Sequence, residues 1–180
     1  MKRQYCFPIP ALLCIFACSN ISVNSTNNGG FVPGELFVGF NDSVSFADTY
    51  VFLDSLGFSI QKLEGYYYAI KADQDSLVYY RNLILSRPYA RIGGQVPVFR
   101  LEDSLISVCM IFSDFSQEEA VDWFILLSEY HIYELALRKG TMGKSGIINV
   151  PIGKEYECFD ILRKAPIIKY AVPNFYVYQR

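Results

Sequence analysis

Apolar and polar residues alternate along Glu35-Leu36-Phe37-Val38-Gly39-Phe40, which puts Leu36, Val38 and Phe40 on one side of an extended backbone. That pattern predicts a half-buried strand. After a turn at Asn41-Asp42 the period lengthens: Ser45 stands as a helix cap with Asp48 three residues on, and Tyr50, Leu53 and Leu56 follow at helical spacing up to Gly57. Ser59 to Leu63 predicts a second strand, Gly65 a turn, and Tyr66 to Lys71 a third strand. Asp73 to Ser76 opens a second helix with the stripe Leu77, Tyr80, Leu83 and Ile84. Pro88 ends it, and Tyr89 to Ile92 predicts a fourth strand.

The order then repeats. In Ile106 to Phe112, Val108, Met110 and Phe112 take the places of Leu36, Val38 and Phe40, and Asp114 that of Asp42. Ser116 to Glu119 is a full capping box, followed by the stripe Trp123, Leu126 and Leu127. His131 to Leu137 predicts a strand, Gly140 to Gly146 a hairpin loop, Ile147 to Val150 a strand and Glu155 to Lys164 a helix. Pro166 answers Pro88, and the apolar run from Ile167 predicts a last strand, with Pro173 expected to end its regular pairing. Each repeat thus reads βαββαβ. The predicted fold class is α+β: two tandem ferredoxin-like sandwiches, each a four-stranded antiparallel sheet with two helices on one face. The expected units are 33–100 and 101–180. The bare sheet faces would carry Phe37, Tyr67 and Ala69 in one unit, and Cys109, Ile111 and Asn149 in the other. Those residues are apolar enough to call for a cover, either the sister unit or a partner.

The ends and the charge refine the picture. Residues 1–17 begin with Lys2 and Arg3 and continue into an apolar run, Phe7 to Phe16, too short to span a bilayer. Ile15-Phe16-Ala17-Cys18 resembles a bacterial lipobox, which implies lipidation at Cys18, removal of 1–17 and attachment to the outer membrane. Residues 18–32, rich in Ser, Asn and Gly, read as a flexible tether. Of 16 basic and 18 acidic residues, removal of Lys2 and Arg3 leaves a net charge of about −4 without a basic run, so nucleic acid is not an expected partner. Cys109 and Cys158 fall on different layers of the expected fold and are expected to stay free thiols.

Catalytic patterns are absent from the sequence. His131 is the single imidazole and sits at a helix-to-strand join, so no serine or cysteine has a second base to draw on. Gly143-Lys144-Ser145 lacks the glycine that a phosphate loop needs five positions earlier, where Arg138 stands. No CxxC, HExxH or dinucleotide fingerprint occurs, and neither a metal nor a cofactor is expected.

Two segments resemble the propeptides of subtilisin-type proteases: Pro33-Gly34-Glu35-Leu36-Phe37-Val38-Gly39-Phe40 their first strand, and Ile168-Lys169-Tyr170-Ala171-Val172-Pro173-Asn174-Phe175 their ending, with Val172 where the family carries an acidic residue. The resemblance implies a non-enzymatic module that docks its bare sheet on a subtilisin-like protease and lays Tyr176, Val177, Tyr178, Gln179 and Arg180 in the substrate cleft, with Arg180 nearest the catalytic centre. No protease domain follows in this sequence, so the expected role is inhibition or assisted folding in trans. The alternative is a structural or assembly lipoprotein whose two sheets bury each other.

Overall fold

The computed structural model describes residues 30–71, 75–92, 99–102, 105–136 and 143–175. Residues 1–29, which include Cys18, the expected signal and most of the expected tether, lie outside these, as do Tyr176 to Arg180. The expected tether bound of 32 is too late, because Phe31 and Val32 already belong to a strand paired with Phe175. Along the described residues run β1 (Phe31–Phe40), α1 (Phe46–Ser55), β2 (Ser59–Lys71), α2 (Leu77–Leu85), β3 (Ala90–Ile92), β4 (Phe99–Glu102), β5 (Leu105–Phe115), α3 (Gln117–Glu129), β6 (Tyr133–Leu135), β7 (Ser145–Asn149), α4 (Glu155–Leu162) and β8 (Ile168–Phe175). The fold is α+β, as the alternation of periods implies.

The strands do not divide into two self-contained sheets. They join in one eight-stranded antiparallel sheet with the order β3-β5-β2-β7-β1-β8, in which β4 also pairs with β5 and β6 with β2. The first strand therefore lies between the last two: Leu36 faces Ile148 of β7 on one side and Pro173 of β8 on the other. The expected stacking of one bare sheet on another does not occur, because both sets of strands are side by side in the same layer. Strand β4 runs across the 100/101 boundary expected between units.

The difference traces to Gly65. Instead of turning the chain, it sits inside the 13-residue strand β2, at φ +86°, where the pairing with β5 slips between Glu64 and Tyr66. A glycine with positive φ supports either a hairpin turn or a bulge that lets a strand continue, and sequence alone does not separate the two. The first part of β2 pairs with β7 and the second with β6, so β6 and β7 follow one another along the same side of β2. Pro173 likewise does not end its strand. Among the described residues β8 pairs on one side only, where a missing N–H is tolerated, and the pairing resumes at Phe31–Phe175 after an irregularity.

All four helices contribute to one core on one face of the sheet. Leu36, Val38, Phe40, Leu63, Tyr66, Tyr68, Met110, Phe112 and Ile148 meet Phe46, Leu53, Ile84, Trp123, Leu126, Cys158 and Leu162 there. Phe46 of α1 packs at 4.2 Å on Phe112, and Trp123 of α3 at 5.2 Å on Tyr68, to whose hydroxyl its indole N–H donates at 3.3 Å. The helices start and stop where the sequence punctuates them. Ser45 accepts the Asp48 N–H, and Ser116 forms its box with Glu119. α1 ends with Gly57 at φ +70° and a bond from Phe58 N to Leu53 O; α3 ends the same way, with His131 at φ +51° and Ile132 N bonded to Leu127 O.

Candidate functional site

The sheet face away from the helices is built from the residues of opposite parity, and the register fixes their rows. Val172, Phe37, Ile147, Lys62 and Ser113 follow one another from β8 to β5. Beside them run Tyr170, Gly39, Ser145, Glu64, Ile111 and Arg91. No described helix covers these rows. Tyr170 and Val172 are 43% and 39% exposed, and Phe37, Ile147 and Ile111 are half-buried. The Tyr170 ring lies over Gly39, where a Cβ would stand 2.2 Å from it, and its centroid is 5.8 Å from that of Phe37. The glycine makes room for an aromatic ring laid along the strand. Lys62 and Glu64 form an ion pair at 2.6 Å beside this patch, so its apolar end lies over β1 and β8 and a charged boundary crosses β2.

Of the residues expected on this face, Phe37 is part of the patch, and Ile111 lies on the same face beyond the Lys62–Glu64 boundary. Tyr67 is half-buried opposite Cys109 and Leu135. Asn149 belongs to a polar margin, where its amide donates to Ser59 Oγ at 3.1 Å. Ala69 is fully buried between Ser107 and Tyr133 and offers no surface to a partner, which corrects its assignment as a contact residue. Its neighbours Ser107 and Cys109 on β5 are buried as well. Ile147, Tyr170 and Val172 were missed. Ile147 has the parity of Asn149 and could have been read from it, whereas Tyr170 and Val172 enter only once β8 is known to pair with β1. The expected tail Tyr176–Arg180 follows Phe175, the end of the edge strand.

The remaining polar groups are engaged structurally. Lys144 is buried under the start of α1: its Nζ donates to Glu134 Oε1 at 2.8 Å and to the Val44 carbonyl at 2.5 Å, and lies 5.0 Å from the Tyr66 ring centroid. The other oxygen of Glu134 accepts the Phe46 N–H at 2.8 Å, so the Gly-Lys-Ser lysine is an internal strut and has no role toward a phosphate. Glu155, 4% exposed, accepts the N–H groups of Gly34 at 2.7 Å and Gly153 at 3.0 Å. Burial by itself would raise its carboxyl, but the backbone donors of Gly153, Glu155 and Gly34 outweigh it and hold the group below the usual glutamate range. Cys109 and Cys158 are buried free thiols, both pushed upward by burial and neither an activated nucleophile. His131 is exposed and closes α3 in the position Gly57 takes in α1, which accounts for it without catalysis. An open cleft of about 370 Å³ between the end of α2 and the start of α3 is lined by Arg87, Tyr89, Glu118 and Asp122 among others. Asp122 accepts there from the Tyr89 hydroxyl and, at 3.3 Å, from Arg87. The Tyr89 hydrogen bond leads the causes that hold the Asp122 carboxyl below its ordinary value.

Among the described residues no cluster of three or more His, Cys, Asp or Glu side chains could hold a metal ion, and no helix is long and apolar enough to cross a membrane. No family model, curated protein or solved structure matches this chain.

Proposed function

We propose that the protein is a non-enzymatic binding module that docks a protein partner on the helix-free face of its sheet, and that the partner class is a subtilisin-like serine protease. The observation that carries this reading is the continuous patch of Tyr170, Val172, Phe37 and Ile147, an aromatic and aliphatic surface on the face that no described helix covers. Two further features support it. Strands β8-β1-β7-β2 and β6-β2-β5-β3 each read in the 4-1-3-2 order of a ferredoxin-like βαββαβ sheet, the architecture implied by the propeptide resemblance. The two segments that carry that resemblance also pair directly, since Leu36 to Gly39 lie against Tyr170 to Pro173. Tyr176–Arg180 follow β8 in the sequence, and in this reading they add as a strand to a partner's cleft. Cys18 would carry the lipid that ties the module to the outer membrane through the residues that precede β1.

The test is inhibition. Purified residues 19–180 are expected to slow a subtilisin-like protease at micromolar concentration. Deleting Tyr176–Arg180 is expected to weaken inhibition, and Phe37→Asp to abolish binding while the melting transition persists. Absence of both binding and inhibition across a panel of such proteases sinks the proposal. Intact mass of the mature N-terminus decides lipidation at Cys18 separately.

A further inference from the structure

The strand pairings divide the chain in an unexpected way. Cut between β3 and β4, the chain gives a first segment, 30–92, with β1, β2 and β3, and a second, 99–175, with β4 to β8. Among the described residues, β1 pairs with β7 and β8, β2 with β5, β6 and β7, and β3 with β5. Every one of these ladders joins the first segment to the second. Only β4 and β5 pair within a segment. The first segment has no ladder of its own, so alone it would leave three strands of backbone donors and acceptors without partners.

Side chains repeat the division. Trp123 of the second segment lies on Tyr68 of the first, and Phe112 of the second on Phe46 of the first. The crossing point is closed from both sides. A Cβ on Gly65 would stand 2.4 Å from the Gly143 carbonyl oxygen, so the two backbones touch there. Beside them Glu134 of the second segment accepts the Phe46 N–H of the first and holds Lys144, whose ammonium reaches the Val44 carbonyl of the first. We infer that residues 30–92 and 99–175 are two interlocked parts of one folding unit that hold each other without the covalent link, so that a cut between β3 and β4 leaves the molecule assembled. This inference does not depend on the identity of any partner. For a protein proposed to meet proteases it describes a fold that survives one cleavage.

The experiment places a specific protease site within residues 93–98 of the full chain and cuts the folded protein. The two fragments are expected to co-elute as a 1:1 complex in native buffer, with unchanged Trp123 fluorescence. They should unfold in one transition whose midpoint rises with concentration. Separation of the fragments in native buffer overturns the inference, as does cooperative unfolding of either fragment alone. If the inserted site resists cutting, co-expression of the two segments as separate chains gives the same readout, and failure to recover a 1:1 complex then counts against the inference.

Discussion

The side-chain amide of Asn174 donates to the carboxylate of Glu35 at 2.7 Å across a sequence separation of 139 residues. Glu35 also accepts from Gln61 Nε2 at 3.2 Å, so one carboxylate links β8, β1 and β2. Replacing Glu35 with Ala removes an acceptor shared by two amides and is expected to cost about 1–2 kcal/mol. Asn174→Ala is expected to cost less, because Gln61 keeps its acceptor. A double-mutant cycle read by urea unfolding checks the pair. Strict additivity of the two changes would show that the contact contributes nothing.

Gly39 and Tyr170 form a pair of a different kind. In Gly39→Ala the new methyl displaces the Tyr170 ring from the strand, which costs roughly 1 kcal/mol in lost packing. In a Tyr170→Ala background the same change removes a flexible glycine from a strand without obstruction and is expected to be neutral or stabilising by a few tenths of a kcal/mol. The reversal of sign between the two backgrounds is the measurement.

Two glycines with similar backbone angles separate crowding from conformation. Gly65 and Gly153 have φ +86° and +82°, but a Cβ would meet backbone at Gly65 and nothing within 4 Å at Gly153. Gly153→Ala is expected to cost about 1 kcal/mol, the conformational part alone. Gly65→Ala should cost at least twice that and lower the yield of folded protein, because the crossing strands must part. Equal melting temperatures for the two variants would contradict the close backbone approach.

Glu155 gives the fold an acid-sensitive joint. Its folded-state carboxyl titrates below the unfolded-state value, so its stabilisation is fully present above the ordinary glutamate range and is lost as pH falls through the lowered folded-state value. Glu155→Gln is expected to lose about 1–3 kcal/mol at pH 7 through weaker acceptance from Gly34 and Gly153. Urea midpoints of the two proteins should converge on acidification. A difference that stays constant down to pH 3 would remove Glu155 from the acid response.

Much of the fold was legible because its local devices are strong. The caps at Ser45 and Ser116, the stops at Gly57 and Pro88, and the core parity of Leu36, Val38, Phe40, Val108, Met110 and Phe112 appear where the periods place them. The long-range pairing was not legible. Gly65 permits a turn and a bulge equally, and choosing the bulge exchanges the partners of strands more than 70 residues away. That one ambiguity converts two separate sandwiches into one interleaved sheet. The candidate face was partly legible for the same reason: strand parity identified Phe37 and Ile111, whereas Tyr170 and Val172 join Phe37 only through the pairing of β1 with β8. Parity also selected Ala69, but parity gives the face a side chain is on and not whether that part of the face is exposed.

The place of β1 between β7 and β8 has a consequence for the order of events during synthesis. When Gly34 leaves the ribosome, the carboxylate that holds its N–H is still 121 residues away. The first strand stays without neighbours until nearly the whole chain has emerged. A topology so rich in distant contacts folds slowly and late, because loop closure must precede its reward. The connectivity of the sheet therefore keeps the first strand waiting for its neighbours until the last strands are made.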